Sequence, residues 1–241
     1  NPKMKPFIFD QRNGIHIIDL SQTVKQLEAA CDYLAGIVRN GGTVLFVGTK
    51  KQAQLAVKEA ATACGQPFVT ERWLGGTLTN LKTIRRSIKR LREIQRMEED
   101  GSINAYVKQE QSSIRREAAR IQKNIGGILD VDKIPDAMFV VDVKREHNAV
   151  AEARRLKVPL VAITDTNCDP TLVDYPIAGN DDAIRSVRLI IGTLAQAITQ
   201  ARAEYEAKYG RKAKEAEAEA TTEAAPATPA EPAPAAAPVA G

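Results

Sequence analysis

Residues 43–48 read Thr-Val-Leu-Phe-Val-Gly, and this stretch decides the fold. Its four central residues are all apolar, without the alternation of apolar and polar residues that is typical of a strand with one solvated face. A short apolar run of this kind, ended by a glycine, predicts a strand that is buried on both faces of a parallel sheet.

Helices are predicted on both sides of this strand. Upstream, apolar residues recur at the spacing of one helical face, at Val24, Leu27, Cys31, Leu34 and Val38. Downstream, residues 50–64 form an Ala-rich helix that Gly65 ends. Further strands are predicted at 67–70, 137–143, 159–164 and 175–178, with helices at 147–157 and from Asp181 onward. This alternation predicts right-handed crossovers and an α/β domain whose parallel sheet is covered on both faces.

A helical hairpin is predicted as an insertion between the second and third strands. Its apolar residues fall at the spacing of a narrow helical seam, at Leu81, Ile84, Ile88, Leu91, Val107, Ile114, Ala118, Ile121 and Ile125. A turn at residues 100–102 separates the two arms. The pattern predicts an antiparallel coiled coil with arms of about 20 residues, roughly 30 Å long.

The domain boundaries follow from these elements. The sheet domain is predicted at 1–77 and 125–209, and the basic coiled-coil hairpin at 78–124. Residues 210–241 are rich in Ala, Pro and Glu and are expected to be a disordered tail. At the other end, Pro2 and Pro6 argue against a helix. Ile15, Ile17 and Ile18 are expected to add an apolar edge against the core.

Charge is concentrated in the hairpin. Residues 78–123 hold twelve Lys and Arg against six Asp and Glu, although the whole chain carries only +4. Between 82 and 96, Glu93 alone opposes seven cations, so this helix repels itself unless an anion binds it. This pattern favours contact with a nucleic-acid backbone over a solvated face. The narrow seam lacks the broad apolar face of a membrane-binding helix.

The basic side chains are therefore the predicted nucleic-acid contacts. On the first arm they are Lys82, Arg85, Arg86, Lys89, Arg90, Arg92 and Arg96. On the second arm they are Arg115, Arg116 and Arg120. On the sheet domain they are Lys3, Lys5, Arg12, Lys50, Lys51 and Arg72.

Residues 72–80, Arg-Trp-Leu-Gly-Gly-Thr-Leu-Thr-Asn, join the sheet to the hairpin. Trp73 and Leu74 are expected to anchor this connection in the core. The paired glycines either form a nest of backbone N–H groups that holds an anion or simply let the chain turn. Both roles are compatible.

Catalytic chemistry has weaker support in the sequence. Residues 48–51, Gly-Thr-Lys-Lys, open a helix after a strand but match neither nucleotide-binding glycine pattern. Asp142, Asp165 and Asp169 follow strands and could hold Mg²⁺, although aspartates also cap turns and helices. The alternative function is a nucleotide- or Mg-dependent phosphotransfer enzyme. A third possibility is a free RNA-binding adaptor.

Other function classes are excluded or left without support. No apolar run approaches the roughly 18 residues of a membrane span. The three cysteines, Cys31, Cys64 and Cys168, lack the spacing of a metal site and fit a reducing cytoplasm. Since the chain begins at Asn1 without Met, we expect a short leader to be missing from it.

Seven ordered motifs resemble the bacterial branch of the small-subunit ribosomal protein S2 family. They are Asn1-Pro-Lys-Met-Lys-Pro6, Arg12-Asn-Gly-Ile-His-Ile-Ile-Asp19, Val47-Gly-Thr-Lys50, the stretch 72–80, Pro135-Asp136, Thr164-Asp-Thr-Asn-Cys-Asp-Pro170 and Gly179-Asn-Asp-Asp-Ala-Ile-Arg185. The resemblance extends from Asn1 to about Ala203. The sequence departs from the family pattern in two ways. The His-x-Gly-His-like element that the family has before the position of Asn1 is absent from it, and its 210–241 tail is not part of the shared pattern.

The resemblance implies a structural ribosomal protein in the bacterial cytoplasm. It implies a Rossmann-like (flavodoxin-like) sheet domain with a coiled-coil hairpin, no cofactor, no metal, no membrane and no small-molecule substrate. The implied partners are 16S-type ribosomal RNA, between the head and the body of the small subunit, and neighbouring proteins including ribosomal protein S1. The hairpin would reach RNA of the body, and the sheet domain RNA of the head.

Overall fold

Helices and strands alternate along most of the chain. The computed structural model describes the backbone of residues 1–222 and the side chains of residues 1–209. The strands are β1 Ile8–Arg12, β2 Ile15–Ile18, β3 Val44–Val47, β4 Phe68–Val69, β5 Ala137–Val141, β6 Leu160–Thr164 and β7 Tyr175–Ala178. The α-helices are α1 Leu20–Arg39, α2 Lys51–Ala63, α3 Leu81–Glu99, α4 Lys108–Ile125, α5 His147–Arg155 and α6 Ile184–Thr222.

Five strands form one parallel sheet in the order β4-β3-β5-β6-β7. Numbered from β3, this is the order 2-1-3-4-5 of flavodoxin-like folds. The α/β fold class and the parallel sheet are therefore confirmed. The strand order reverses between β3 and β5, so the crevice in which such folds usually bind ligands lies at the carboxyl ends of these two strands.

The core lies on both faces of this sheet. Every residue of β3, β5 and β6 is buried, because helices cover both sides of these strands. On one face Phe46 and Phe139 pack with α1, α2 and α6. On the other face Leu45 and Met138 pack with α5 and the first turns of α3.

The N-terminal residues form a small structure of their own. Pro2–Phe7 is a 3-10 helix, so the argument from Pro2 and Pro6 against any helix here was wrong; Pro2 begins the helix, where the missing N–H has no cost. β1 and β2 then pair antiparallel. Ile15 is 71% exposed and Ile17 is 42% exposed, so the expected apolar edge against the core was wrong. Ile18 is half-buried, but no second layer among residues 1–209 covers Ile15 and Ile17 on this two-stranded hairpin.

α3 and α4 are inserted between β4 and β5, and we call residues 81–125 the arm and residues 72–80 the joint. α3 buries Ile84, Ile88, Leu91 and Ile94, whereas in α4 only Ile125 is buried. Gly101 has a φ of 70° in the connection between the helices, where a residue without Cβ is favoured. The coiled-coil packing of the two helices stays a prediction.

Residues 1–205 form one compact unit that includes the arm. α6 runs on to Thr222, past position 210, where the tail was expected to begin. The extension follows from composition, since residues 211–220 are mostly Ala, Glu and Lys, which favour helix. The rest of the predicted tail, 223–241, lies outside the described residues. Within 1–222, no helix is long and apolar enough to cross a membrane.

Candidate nucleic-acid interface

The joint is held by a single carboxylate. Glu152 lies on α5 and accepts five hydrogen bonds, all from the joint. Its Oε1 accepts from Trp73 Nε1 at 3.0 Å and from the Gly76 N–H at 2.7 Å. Its Oε2 accepts from the N–H groups of Leu78 and Thr79, at 3.0 and 3.1 Å, and from Thr79 Oγ1 at 3.1 Å.

Backbone N–H groups of the joint thus hold an anion that belongs to the protein itself, and of the two glycines only Gly76 contributes a donor. Burial acts to raise the pKa of Glu152, but the hydrogen bonds from Thr79, Trp73, Gly76 and Leu78 outweigh it and lower the pKa. The carboxylate is therefore charged at neutral pH. Trp73 is only 7% exposed, as expected for a core anchor.

The cations of α3 differ in the direction in which they point around the helix axis. Buried Ile84, Ile88, Leu91 and Ile94 define the inner face. With about 100° per residue, six cations lie within roughly 75° of the direction opposite to that face. Five of them have no acidic partner among the described side chains, namely Lys82, Arg85, Arg86, Lys89 and Arg96. We call these five residues the basic face.

The basic face is not neutralised by the rest of the molecule. All five side chains belong to exposed residues. None of them has an ion-pair partner among the side chains of residues 1–209. A row of unpaired cations along one side of a helix is an electrostatic footprint for a polyanion.

The other two predicted contacts on α3 flank the basic face and are paired. Arg90 lies 3.5 Å from Glu117 of α4 and 3.8 Å from Glu93. Arg92 lies 3.6 Å from Asp130 and donates a hydrogen bond to the Leu129 carbonyl at 3.3 Å. These side chains connect α3 to its neighbours.

The cations of α4 also fall into a paired and an unpaired group. Arg115 pairs with Glu98 of α3 at 3.2 Å, and Lys123 pairs with Glu71 beside the joint at 3.3 Å. Arg116 donates to the Ser112 carbonyl of its own helix at 3.2 Å. Arg120 is exposed, and no carboxylate within the described side chains pairs with it.

The predicted contacts on the sheet domain are also of two kinds. Lys5, Arg12, Lys51 and Arg72 are exposed, and among residues 1–209 they have no ion-pair partner. Lys3 instead pairs with Asp169 at 2.6 Å and donates to Thr171 at 3.0 Å.

Lys50 lies inside a polar cluster at the carboxyl ends of β3 and β5. Its Nζ is 2.7 Å from both Asp181 and Asp182 and 3.5 Å from Asp142. Burial acts to lower the pKa of Lys50, but the hydrogen bonds to Asp181 and Asp182 raise it above its ordinary value. The lysine side chain is only 13% exposed and is occupied by these carboxylates.

This cluster occupies the crevice where flavodoxin-like folds bind ligands. Asp142 adopts a φ of 66°, an uncommon conformation for a residue with a side chain. Glu146 accepts hydrogen bonds from the backbone N–H of Thr49, at 3.0 Å, and from its hydroxyl. Burial raises the pKa of Asp181 to about 6, against the lowering effect of Lys50. Its Oδ2 has no hydrogen-bond partner within the described part of the chain.

Two overlapping trios have the donor atoms for a metal ion. Asp142, Cys168 and Asp181 form one, and Asp165, Asp181 and Asp182 form the other, with each set of ligand atoms within 4.8 Å of one another. The Mg²⁺ site suggested by the sequence, Asp142 with Asp165 and Asp169, is not assembled as such. Asp169 is not part of either trio, and its carboxylate instead accepts hydrogen bonds from Lys3 and Thr171.

Sequence reasoning missed Glu152, Glu146 and Asp181. Glu152 had a weak signal, because an acid beside the buried positions Ala149 and Ala153 of α5 needs internal donors. The donors themselves lie more than 70 positions away in the chain, so the sequence offers no means of pairing them.

These features define the class of the protein: a doubly wound α/β domain that presents unneutralised cations on a helical insertion. The family model described as Ribosomal protein S2 matches residues 1–201. Because that match covers most of the 241 residues, the chain belongs to the ribosomal protein S2 family. It is therefore a small-subunit ribosomal protein, a component of the translation machinery, and ribosomal proteins are generally structural rather than catalytic.

Proposed function

We propose that the protein binds small-subunit ribosomal RNA through the basic face of α3. The observation that carries this proposal is the set of five exposed cations opposite the buried side of the helix. Such a row is unfavourable in isolation, and phosphates are the anions that a ribosome supplies at high density. Each phosphate that a cation neutralises releases condensed counterions, so binding should be strong at low salt and weaken steeply as salt rises.

The predicted RNA contacts can be ranked by whether an acidic side chain already pairs with each cation. The first group is Lys82, Arg85, Arg86, Lys89 and Arg96 on α3 with Arg116 and Arg120 on α4, because none of them has an ion-pair partner among the described side chains. Arg90, Arg92 and Arg115 serve mainly to hold α3, α4 and the 129–130 loop together, because an acid already lies beside each of them. Lys50 and Lys3 come last, since their charges are used within the sheet domain.

We also propose that the two parts of the molecule bind separate regions of the RNA. The arm, as a coiled-coil hairpin, would contact RNA of the body, while Lys5, Arg12, Lys51 and Arg72 of the sheet domain would contact RNA of the head. The position of these cations on different elements, before residue 73 and on the inserted helices, supports this division. One rigid protein could then bridge the head and the body, in the bacterial cytoplasm.

The proposed protein neighbours, including ribosomal protein S1, are best placed at the N-terminal hairpin. Phe9, Ile15 and Leu20 are 76, 71 and 70% exposed, and Val24 of α1 is 54% exposed. Exposed large apolar side chains in one segment of the chain fit a contact with another protein. The proposed role is structural, without a catalytic step, a cofactor or a small-molecule substrate.

Sedimentation through a sucrose gradient tests the assignment to the small subunit. We expect the wild-type chain to migrate with the small subunit at moderate salt and to be released as salt rises. A chain found only in the top fractions, at every salt concentration, would instead support a free RNA-binding adaptor. An enzyme of the phosphotransfer class would in addition bind a nucleotide and lose activity when Asp142 is replaced with Ala.

A further inference from the structure

The hydrogen bonds of Glu152 connect the sheet domain to the start of the arm. Glu152 belongs to α5, which packs on the central strands of the sheet. Its five donors all lie between positions 73 and 79. The last donor, Thr79, is followed by Asn80, whose side chain caps the first turn of α3. One carboxylate on the domain thus holds the backbone immediately before the arm.

Other contacts at the base of the arm are mostly less directional, apart from the exposed hydrogen bond that Arg92 donates to the Leu129 carbonyl. Ile84 and Ile88 pack in the core of this face, and apolar contacts tolerate rotation better than hydrogen bonds do. The ion pairs Arg92–Asp130 and Lys123–Glu71 lie on the surface, where each contributes little.

The joint has its own internal bonds, which shape it but do not attach it to the sheet. Thr77 Oγ1 donates to the Leu74 carbonyl at 2.6 Å, and the Asn80 N–H donates to the Gly76 carbonyl at 2.7 Å. Gly76 adopts a φ of 89°, which aligns its N–H with the others that converge on the carboxylate. Hydrogen bonds from N–H groups to an ionised carboxylate are roughly twice as strong as neutral ones.

We infer that Glu152 is the positioning residue that sets the direction in which the arm leaves the sheet domain. Loss of its charge would free the arm from its fixed direction while both parts remain folded. A glutamine at this position has one oxygen for five donors, and its NH₂ group would face N–H groups that it cannot accept from. Glu152→Gln is therefore the substitution of choice, because it preserves the size of the side chain.

Spin labels measure the direction of the arm directly. One label is placed at exposed Lys25 on α1 and the other at exposed Gln95 on α3, each replaced with Cys, in a chain in which half-buried Cys31 is replaced with Ala. We expect a single narrow distance distribution with Glu152 present and a broad or displaced one with Glu152→Gln. Glu59→Gln is the matched control, because Glu59 has one surface partner, Arg188, away from the joint. A distribution in Glu152→Gln that matches both wild type and the control would overturn the inference.

Trp73 supplies a second readout, since it is the only tryptophan in the chain and donates to Glu152. Its emission should shift in Glu152→Gln and stay unchanged in Glu59→Gln. If Glu152→Gln fails to fold by circular dichroism, Thr79→Val removes a single hydroxyl donor and should broaden the label distances to a smaller degree. An unchanged distribution in a folded Thr79→Val, in that case, counts against the inference.

The consequence for RNA binding rests on the proposed function and is measured separately. Glu152→Gln keeps every cation, but a freely directed arm cannot engage RNA together with the sheet domain, so affinity for small-subunit RNA should fall at least about tenfold. If the wild-type chain does not bind RNA, the proposed function fails while the label distances still decide the role of Glu152. Unchanged affinity alongside broadened distances would show that direction does not matter for binding.

Discussion

Neutralising the centre of the basic face should reduce the salt dependence of RNA binding in a calculable way. The variant replaces Arg85, Arg86 and Lys89 with Gln, which removes three of the five unpaired cations and leaves Lys82 and Arg96. All five side chains are on the outer side of α3, away from the buried residues, so the helix should remain folded.

The magnitude follows from counterion release. Each phosphate contact contributes about 0.7 to 0.9 to the slope of log affinity against log salt. Five contacts give a slope of roughly 3.5 to 4.5 for this face, and two give about 1.4 to 1.8. Between about 50 and 200 mM salt, the contribution of the face should therefore weaken roughly 100- to 500-fold in wild type but only about tenfold in the variant.

Filter binding to small-subunit ribosomal RNA across this salt range is the assay. The matched control replaces Arg92, Arg115 and Lys123 with Gln. It removes the same total charge from the arm, but each of these cations already has an acidic partner within 4 Å. We expect the control to change the slope by less than about 1. Equal slopes for the two variants would refute the division into a basic face and paired cations.

Three further predictions concern the scaffold. Gly76→Ala should destabilise the protein by about 1 to 3 kcal/mol in chemical denaturation, since the residue has a φ of 89° and its Cβ would lie 3.1 Å from Asn80. Gly75→Ala, where nothing lies within 4 Å, should be nearly neutral. Phe139→Ala should cost about 3 to 5 kcal/mol, visible as a lower melting temperature, because that ring is fully buried. Finally, the hydrogen bond from Lys3 lowers the pKa of Asp169 to about 2. The pair therefore stabilises the fold fully above the pKa of an unfolded aspartate, and this stabilisation is lost as the pH falls through 2. Lys3→Met should raise the pKa of Asp169, as measured by NMR titration.

The sheet was predictable because its residues carry the information locally. β3, β5 and β6 are continuous apolar runs, and only burial on both faces explains such runs. The exposed hairpin of β1 and β2 was not predictable in the same way. Ile15 and Ile17 alternate with polar residues as in a half-buried strand, but no other element of the described chain covers them.

The basic face was predictable only in part. Spacing along α3 places cations on the outside, but it does not say which of them are paired. Glu117 and Asp130, which pair with Arg90 and Arg92, come from later segments. Lys50 shows the same limit, since its partners Asp142 and Asp181 lie 92 and 131 positions away in the chain.

The joint shows that a local sequence pattern can indicate anion binding without identifying the anion. The glycine pair predicted backbone N–H groups that hold an anion. The structure contains such an anion, held by the N–H groups of Gly76, Leu78 and Thr79. The anion is Glu152 of α5, a helix that comes after α3, α4 and β5 in the chain. Since the same residues could have held a phosphate, only the tertiary structure distinguishes an internal anion from an external one.

Incorporation of a charge-reversed arm into the ribosome tests the central claim most directly. In this variant Lys82, Arg85, Arg86 and Lys89 become Glu, and circular dichroism verifies that the sheet domain remains folded. If the basic face holds ribosomal RNA, the variant should stay in the top fractions of a sucrose gradient while wild type migrates with the small subunit. Incorporation of the variant at the wild-type level would contradict the account.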